Sequence, residues 1–241
     1  MVFTREESLN ICVIPARGGS KRIPRKNIKE FNGKPIIAYS IEAAINSNCF
    51  NQVIVSTDDY EIAKIAEDFG ASVPFMRPDK LSDDYIGTTS VVKHAIEFME
   101  NDNNYISNVC CLYATAPFVR SKIISKAYQK LKDTKADYCF SVTSFAFPIQ
   151  RAIKVTEKNK VSMFYPEYFN ARSQDLEESY HDAGQFYWGK AQAFKDELPL
   201  FSEVATPYVL PRYLVQDIDT PEDWIRAEAM YKVLQETSML P

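Results

Sequence analysis

Leu9–Pro15, LNICVIP, is an unbroken apolar run that stops at a proline and reaches Gly18-Gly19 three residues later. A run this short and dry, with no polar alternation, fits a strand buried on both faces inside a parallel sheet. The pattern recurs at Gln52–Thr57 (QVIVST), Asn108–Tyr113 and Asp137–Val142, with segments of helical periodicity between them. Lys34–Asn46 reads as a helix with Pro35 in its first turn and Ile37, Ile41, Ala44 and Ile45 on one face. Asp58 is expected to cap the next helix, with Glu61 three residues on, a stripe of Ile62, Ile65, Ala66 and Phe69, and a stop at Gly70. Val91, Val92, Ala95, Ile96 and Met99 mark a third helix, and Ile123, Ile124, Ala127, Tyr128 and Leu131 a fourth. Strands alternating with helices at this spacing predict an α/β, Rossmann-like fold, a mainly parallel sheet with helices on both faces.

The rhythm breaks between about residues 143 and 180. Ala152–Phe164 (AIKVTEKNKVSMF) reads as a β-hairpin with a polar turn at Glu157–Lys160, crowded by Phe145, Phe147, Phe164, Tyr165, Tyr168 and Phe169. Such a segment is either a small extra cluster within the monomer or an insertion that packs on a second subunit. Gln185–Gly189 (QFYWG) returns to strand character, and Thr220-Pro-Glu-Asp opens a last helix with an N-cap, a proline at N1 and an acid at N3.

At 241 residues, 46% hydrophobic and 25% charged, the chain has the material for one globular α/β domain, residues 1–241, with 143–180 as an insertion. Its apolar runs fall short of a membrane span, and MVFTREESLN lacks the basic-then-apolar order of a signal peptide. Cys12, Cys49, Cys110, Cys111 and Cys139 show no metal-ligand spacing and lie mostly in apolar runs, which suits reduced core thiols and a cytoplasmic protein.

The chemistry is expected first in the loop after Pro15. Six of the thirteen residues from Arg17 to Lys29 are Lys or Arg, in a chain of net charge -4. Doubly wound sheets bind ligands at the carboxyl ends of their strands, and glycine-rich turns cradle phosphate with backbone N–H groups. Gly18 and Gly19 allow close approach, while Arg17, Lys21, Arg22, Arg25 and Lys26 supply charge. The loop carries neither the GxGxxG of dinucleotide folds nor the GxxxxGK[ST] of a P-loop. A polyphosphate nucleotide fits it better than a solvated basic loop or a nucleic-acid patch, which lacks aromatic interleaving here. The second feature is VQDIDTPEDW, Val215–Trp224. In an extended segment Asp217 and Asp219 share one side while Ile218 faces the core, and two such carboxylates beside a phosphate suit Mg²⁺. The competing role for one of them is to cap the helix. His94 reads as structural and His181, in SYHDAGQFYWG, as a substrate contact or a bystander.

Taken together these segments resemble the cytidylyltransferases that activate nine-carbon keto acids, the acylneuraminate group. Ile14-Pro15-Ala16-Arg17, Ser20-Lys21 and Lys26-Asn27 match that family's opening signature IPARxxSKxxxxKN. Asn32–Pro35, VIVSTDD, Arg77–Ser82, Thr115–Pro117 and QDIDT follow in order, so the resemblance covers nearly the whole chain. Within the family LYATAP, ARSQDLEESYHDAGQFYWG and IDTPEDW look closest to the pseudaminic acid branch. Two departures from the sialic acid enzymes lie on the sugar side: Tyr113 stands where they carry Gln, and Tyr180–Gly184 (YHDAG) replaces their FRPNG.

The resemblance implies the nucleotide-diphospho-sugar transferase type of fold and a Mg²⁺-dependent reaction. CTP and pseudaminic acid would give the CMP-sugar and pyrophosphate, for cell-surface or flagellin glycans. It implies that Arg17 and Lys21 face the triphosphate, with Ala16, Gly18 and Ser20 in the same loop, and that Lys26 and Asn27 lie near phosphate and cytosine. Arg77 and Thr88 would hold base and ribose, Asp217 and Asp219 the metal. Arg172 is the candidate cation for the sugar's carboxylate, with Gln174, His181 and Tyr187 as neighbours. Arg17, Lys21, Asp217 and Asp219 are the expected catalytic set, the proton acceptor being left open between one of the aspartates and a metal-bound hydroxide. The insertion resembles a dimerisation element reaching over the partner's site, so a homodimer is expected, with neither nucleic acid nor membrane as partner. The alternatives are a CMP-sialic, CMP-legionaminic or CMP-Kdo synthetase, and, from another class, a non-catalytic nucleotide-binding regulatory protein.

Overall fold

The computed structural model describes residues 8–83, 86–100 and 105–240. The expectation that rests on the first seven residues lies outside them.

The apolar run is strand β1 (Ser8–Pro15), and it lies between two parallel neighbours. A turn follows: β2 (Glu30–Phe31) and β3 (Lys34–Pro35) pair antiparallel across Asn32 and Gly33, both at positive φ (46° and 94°). Asn-Gly is the favoured pair for a type I′ turn, which needs positive φ at both central residues. This little ladder absorbs Lys34 and Pro35, so helix α1 runs Ile36–Ser47 with Pro35 as its N-cap rather than in its first turn.

β4 (Gln52–Ser56), α2 (Tyr60–Asp68), α3 (Thr88–Glu100), β5 (Tyr105–Leu112), α4 (Ser121–Thr134) and β6 (Tyr138–Ser144) come next. The N-cap of α2 is Asp59, whose carboxylate accepts from the N–H groups of Glu61 and Ile62. The expected cap, Asp58, accepts instead from the Gly18 N–H at 2.8 Å.

After β6 the chain leaves the sheet, forms the hairpin β7 (Ile153–Val155) with β8 (Val161–Met163), and returns as β9 (Tyr180–Lys190). It leaves and re-enters at one rung, Ser144 opposite Tyr180. With no helix to carry it back to the far end of the sheet, β9 must run antiparallel to β6, and it does so to β5 as well. Its register slips opposite Phe140–Val142, and the Ser141 hydroxyl accepts from the N–H groups of Gln185 and Phe186 there. Such bulges re-aim side chains at sheet rims, and this one lies midway along β6.

α5 (Ala191–Lys195), β10 (Ala205–Val209) and α6 (Pro221–Glu236) complete the chain. Among the described residues the main sheet has the order β10-β6-β9-β5-β1-β4, parallel except for β9. Alternate residues of β1 feed two cores, which is why the run shows no polar alternation. Cys12 and Ile14 pack with α1, α2, α4 and α6; Ile11 and Val13 pack with α3 and α5. Cys12, Cys110, Cys111 and Cys139 are buried thiols and Cys49 a half-buried one. Among the described residues no helix is long and apolar enough to cross a membrane.

The excursion does not bury its own apolar residues. Phe147 and Phe169 are 82% and 71% exposed, and Ile153, Val155, Val161 and Phe164 are exposed too. That argues against a small cluster closed within the monomer.

Candidate active site

The cationic loop is shaped by partners on three sides. Asn27 is buried, and its amide nitrogen donates to the Arg17 carbonyl at 2.9 Å, folding the loop back on itself. Gly18 is fixed by Asp58, and a Cβ there would come within 2.7 Å of an Asp59 carboxylate oxygen. Arg25, held at φ 54°, donates through both terminal nitrogens to Asp59 (Nη2 to Oδ1, 3.0 Å) and reaches Glu61. Of the cations read from the sequence, Arg25 is therefore spent on α2.

Arg17, Lys21, Arg22 and Lys26 line a cavity of about 320 Å³ at the carboxyl end of β1, together with Ser20, Asn27, Arg77, Thr88 and Tyr113. Arg77 is only 5% exposed and donates from Nε to the Ser56 hydroxyl at 3.1 Å and from Nη2 to the Ser56 carbonyl. Burial pulls it down to about 10, so it stays protonated at neutral pH and brings a poorly hydrated charge to the cavity. Ala16 has no exposed surface, and its N–H is bonded to the Ser56 carbonyl. Neither Ala16 nor Gly18 lines the cavity; their place is to shape its wall.

A second cavity, about 530 Å³, adjoins the first. Lys26, Tyr113, Thr115 and Asp219 belong to both. The rest of its lining includes His181, Asp182, Tyr187, Asp217 and Arg226. Tyr113 bridges the two: its hydroxyl is 3.2 Å from that of Thr88 on the first side, and its ring lies 5.4 Å from that of Tyr187 on the second. The Tyr187 hydroxyl donates to Asp182 at 2.6 Å; burial first, then nearby phenol and carboxylate, pushes its pKa far above the ordinary value.

Ile218 is buried, so Asp217 and Asp219 flank an anchored residue as the alternation in QDIDT requires. The segment is held from behind by Gln185, whose amide donates to the Leu214 carbonyl at 2.5 Å. Helix capping is done by Thr220 in a capping box with Asp223, which frees Asp217 and Asp219 from that duty. Asp219 pairs with Arg22 at 2.9 Å and Lys26 at 3.2 Å. Asp217 is held above the usual carboxylate range, by burial first and by the charge of Asp219 second. A cation between them would relieve that strain. Among the described residues no cluster of three or more His, Cys, Asp or Glu is arranged around a metal position. The donor set is thus two carboxylates with room for phosphate and water oxygens, which suits Mg²⁺ rather than zinc.

The structure brings Arg17, Ser20, Lys21, Lys26, Asn27, Arg77 and Thr88 together in the first cavity, and His181, Tyr187 and Asp217 in the second, with Asp219 in both. Arg172 and Gln174 are elsewhere. They lie exposed on the excursion and line neither cavity, and Arg172 is paired with Asp175 at 2.6 Å. Thr115 and Gln185 are visible in the sequence only as the start of a motif and of a strand, and Arg226 carries no site signal at all. For Asp182 the signal is its place beside His181 within YHDAG; the bulge opposite this stretch leaves no mark in composition.

Residues 11–202 match the family described as Cytidylyltransferase. The chain is 49% identical to the pseudaminic acid cytidylyltransferase of Campylobacter jejuni subsp. jejuni serotype O:2, over 95% of this chain and 99% of that one. It is 33% identical to the CMP-N,N'-diacetyllegionaminic acid synthase of Legionella pneumophila subsp. pneumophila, over 94% and 97% of the two chains. Among solved structures it resembles CMP:2-keto-3-deoxy-manno-octonic acid synthetase complexed with CTP, with a TM-score of 0.68, 18% identity, and coverage of 93% of this chain and 99% of that one. At that identity the likeness is one of fold.

Proposed function

This chain belongs to the cytidylyltransferase family, and from that premise we propose how its two cavities divide one reaction. The enzyme transfers CMP from CTP to pseudaminic acid, giving CMP-pseudaminic acid and pyrophosphate. The observation that carries the division is the shared wall. A cationic cavity meets a second cavity at Lys26, Tyr113, Thr115 and Asp219, and two substrates that react must meet at one such boundary.

CTP lies in the first cavity, its triphosphate toward Arg17, Lys21 and Arg22 and its nucleoside toward Asn27, Arg77 and Thr88. The sugar acid lies in the second, against His181, Asp182 and Tyr187. Its anomeric hydroxyl oxygen attacks the α-phosphorus in line, a new P–O bond forms, and the bond to the β-phosphate oxygen breaks. Pyrophosphate departs with the electron pair, and the hydroxyl proton passes to a carboxylate of the Asp217/Asp219 pair. Charge grows on the leaving oxygens, where fixed cations stabilise it most. Asp217 and Asp219 would hold Mg²⁺, which when bound neutralises phosphate charge and makes the attacking hydroxyl more acidic.

The whole chain acts as one nucleotidyltransferase domain, working in the cytoplasm, with residues 143–180 as a dimerisation and substrate-covering insertion. The exposed aromatics of that insertion, far more than a monomer needs at one place, support a homodimer. Arg172, placed away from its own cavities, then serves the partner's cavity as the cation for the sugar carboxylate. Light scattering is expected to give twice the chain mass; a monomer at micromolar concentration refutes this assignment.

The reaction is tested by pyrophosphate release with CTP, Mg²⁺ and pseudaminic, legionaminic, sialic and Kdo acids in parallel. The highest kcat/KM is expected for pseudaminic acid. A higher value for another acid moves the sugar assignment, and CTP binding without release supports a non-catalytic nucleotide-binding role instead.

A further inference from the structure

The loop that grips the nucleotide faces an electrostatic difficulty. Arg17, Lys21, Arg22 and Lys26 converge on one small cavity, and like charges this close drive a loop apart unless something holds it. Asp219 takes up part of that charge by pairing with Arg22 and Lys26, and the loop's backbone is held from the start of α2. Asp59 is tied to the core by its own N–H, which donates to the buried Thr57 hydroxyl at 3.1 Å. Its carboxylate then does two things at once: it caps α2 through Glu61 and Ile62, and it takes both terminal nitrogens of Arg25. The Arg25 hydrogen bond is the largest influence holding Asp59 below the usual carboxylate range, and the same bond raises Arg25.

Arg25 and Asn27 flank Lys26, and both are pinned, Arg25 to α2 and Asn27 to the Arg17 carbonyl. Lys26 between them is thereby aimed at the Ile218 carbonyl (2.7 Å) and Asp219 (3.2 Å). A connected path runs from the core through Thr57, Asp59 and Arg25 to Lys26 and the aspartate pair.

We propose that Asp59 and Arg25 form a clamp that fixes the phosphate-gripping loop, making both of them positioning residues for CTP that touch no substrate atom. The clamp rests on the placement of CTP in the first cavity given above. It explains why a loop arginine turns from the phosphate site, and why Gly18 must lack a side chain where the Asp59 carboxylate passes.

The test uses the full chain with Asp59→Asn and Arg25→Ala, measuring KM for CTP, KM for pseudaminic acid, kcat and the thermal midpoint. Asparagine still caps a helix, and Arg25→Ala leaves the cap untouched, so both variants keep α2. Each is expected to raise the CTP KM about tenfold, the scale of a small misplacement of binding groups. KM for the sugar is expected to rise by no more than about twofold, because Lys26 alone of the loop cations Arg17, Lys21, Arg22 and Lys26 also lines the second cavity. The thermal midpoint is expected to stay at the wild-type value. If Arg25 worked by touching the triphosphate, Asp59→Asn would free its charge and leave or lower the CTP KM while Arg25→Ala raised it; that sign pattern overturns the clamp. So does an unchanged CTP KM in both, or a loss that only follows a lowered thermal midpoint. A wild-type chain that fails to turn over CTP overturns the placement of CTP and the clamp together, whereas active wild type with two indifferent variants overturns the clamp alone.

Discussion

Asp219→Ala is expected to cut pyrophosphate release by about 10²–10³-fold, the range seen when one preorganised charge-stabilising group is removed. Asp219 belongs to both cavities and is the anion on which Arg22 and Lys26 converge. Without it those two cations lose their common anchor, and under the proposed assignment Asp217 is left as a single carboxylate to hold Mg²⁺. The fold should survive. The Asp219 side chain is 34% exposed, and the helix behind it is capped by Thr220 and Asp223. Arg17→Ala is expected to lose turnover on the same scale under the proposed placement of the triphosphate, since Arg17 lines the first cavity and is steadied by the Asp83 carbonyl at 2.9 Å. Steady-state pyrophosphate release, with circular dichroism on the same samples, decides both. Near-wild-type release in a folded Asp219→Ala chain would remove the aspartate pair from the mechanism.

The largest stability loss is expected at Trp188, about 3–5 kcal/mol on truncation to alanine. Its indole has no exposed surface and is stacked between Phe50 at 4.8 Å and Tyr128 at 4.6 Å, with Nε1 donating to the Ile124 carbonyl at 3.1 Å. It therefore locks β9 to α4 and to the β1 side of the sheet at once. A domain holding about 5–15 kcal/mol in all would retain little margin at 37 °C. Trp188→Phe keeps ring packing and gives up the hydrogen bond, for a loss of about 1 kcal/mol from that bond. Urea unfolding of the three chains measures the series, and an alanine variant within 1 kcal/mol of wild type would contradict the packing account given by these contacts.

Much of this was legible in the residues. The dryness of LNICVIP told of a strand covered on both faces, TPED told of a capped helix, and the spacing of QDIDT told which side chains share a direction. These are local signals, and each rests on one element's own geometry. The unread parts depend on encounters. Asp58 and Asp59 are equally good caps by type; the backbone gave the task to the second and sent the first to Gly18. Arg25 looked like one more phosphate cation because its competitor for that charge lies 34 residues away. Asn32-Gly33 is a turn signal that competes with a helix start, which Lys34 and Pro35 also suit. Asp182 and Gln185 owe their positions to a bulge opposite Ser141, which sequence periodicity does not encode.

The single rung at Ser144 and Tyr180 has an engineering consequence. Paired residues in an antiparallel ladder lie about 4.5–5.5 Å apart, a gap that a two-residue turn spans. The backbone bond from Phe145 N–H to the Ser179 carbonyl closes the gap once more. Everything from 145 to 179 is thus a detachable cassette: it can be excised, shortened or exchanged for that of a relative without asking any sheet strand to shift register. The excursion, Arg172 included, can therefore vary in length and sequence while all six strands of the main sheet keep their pairing.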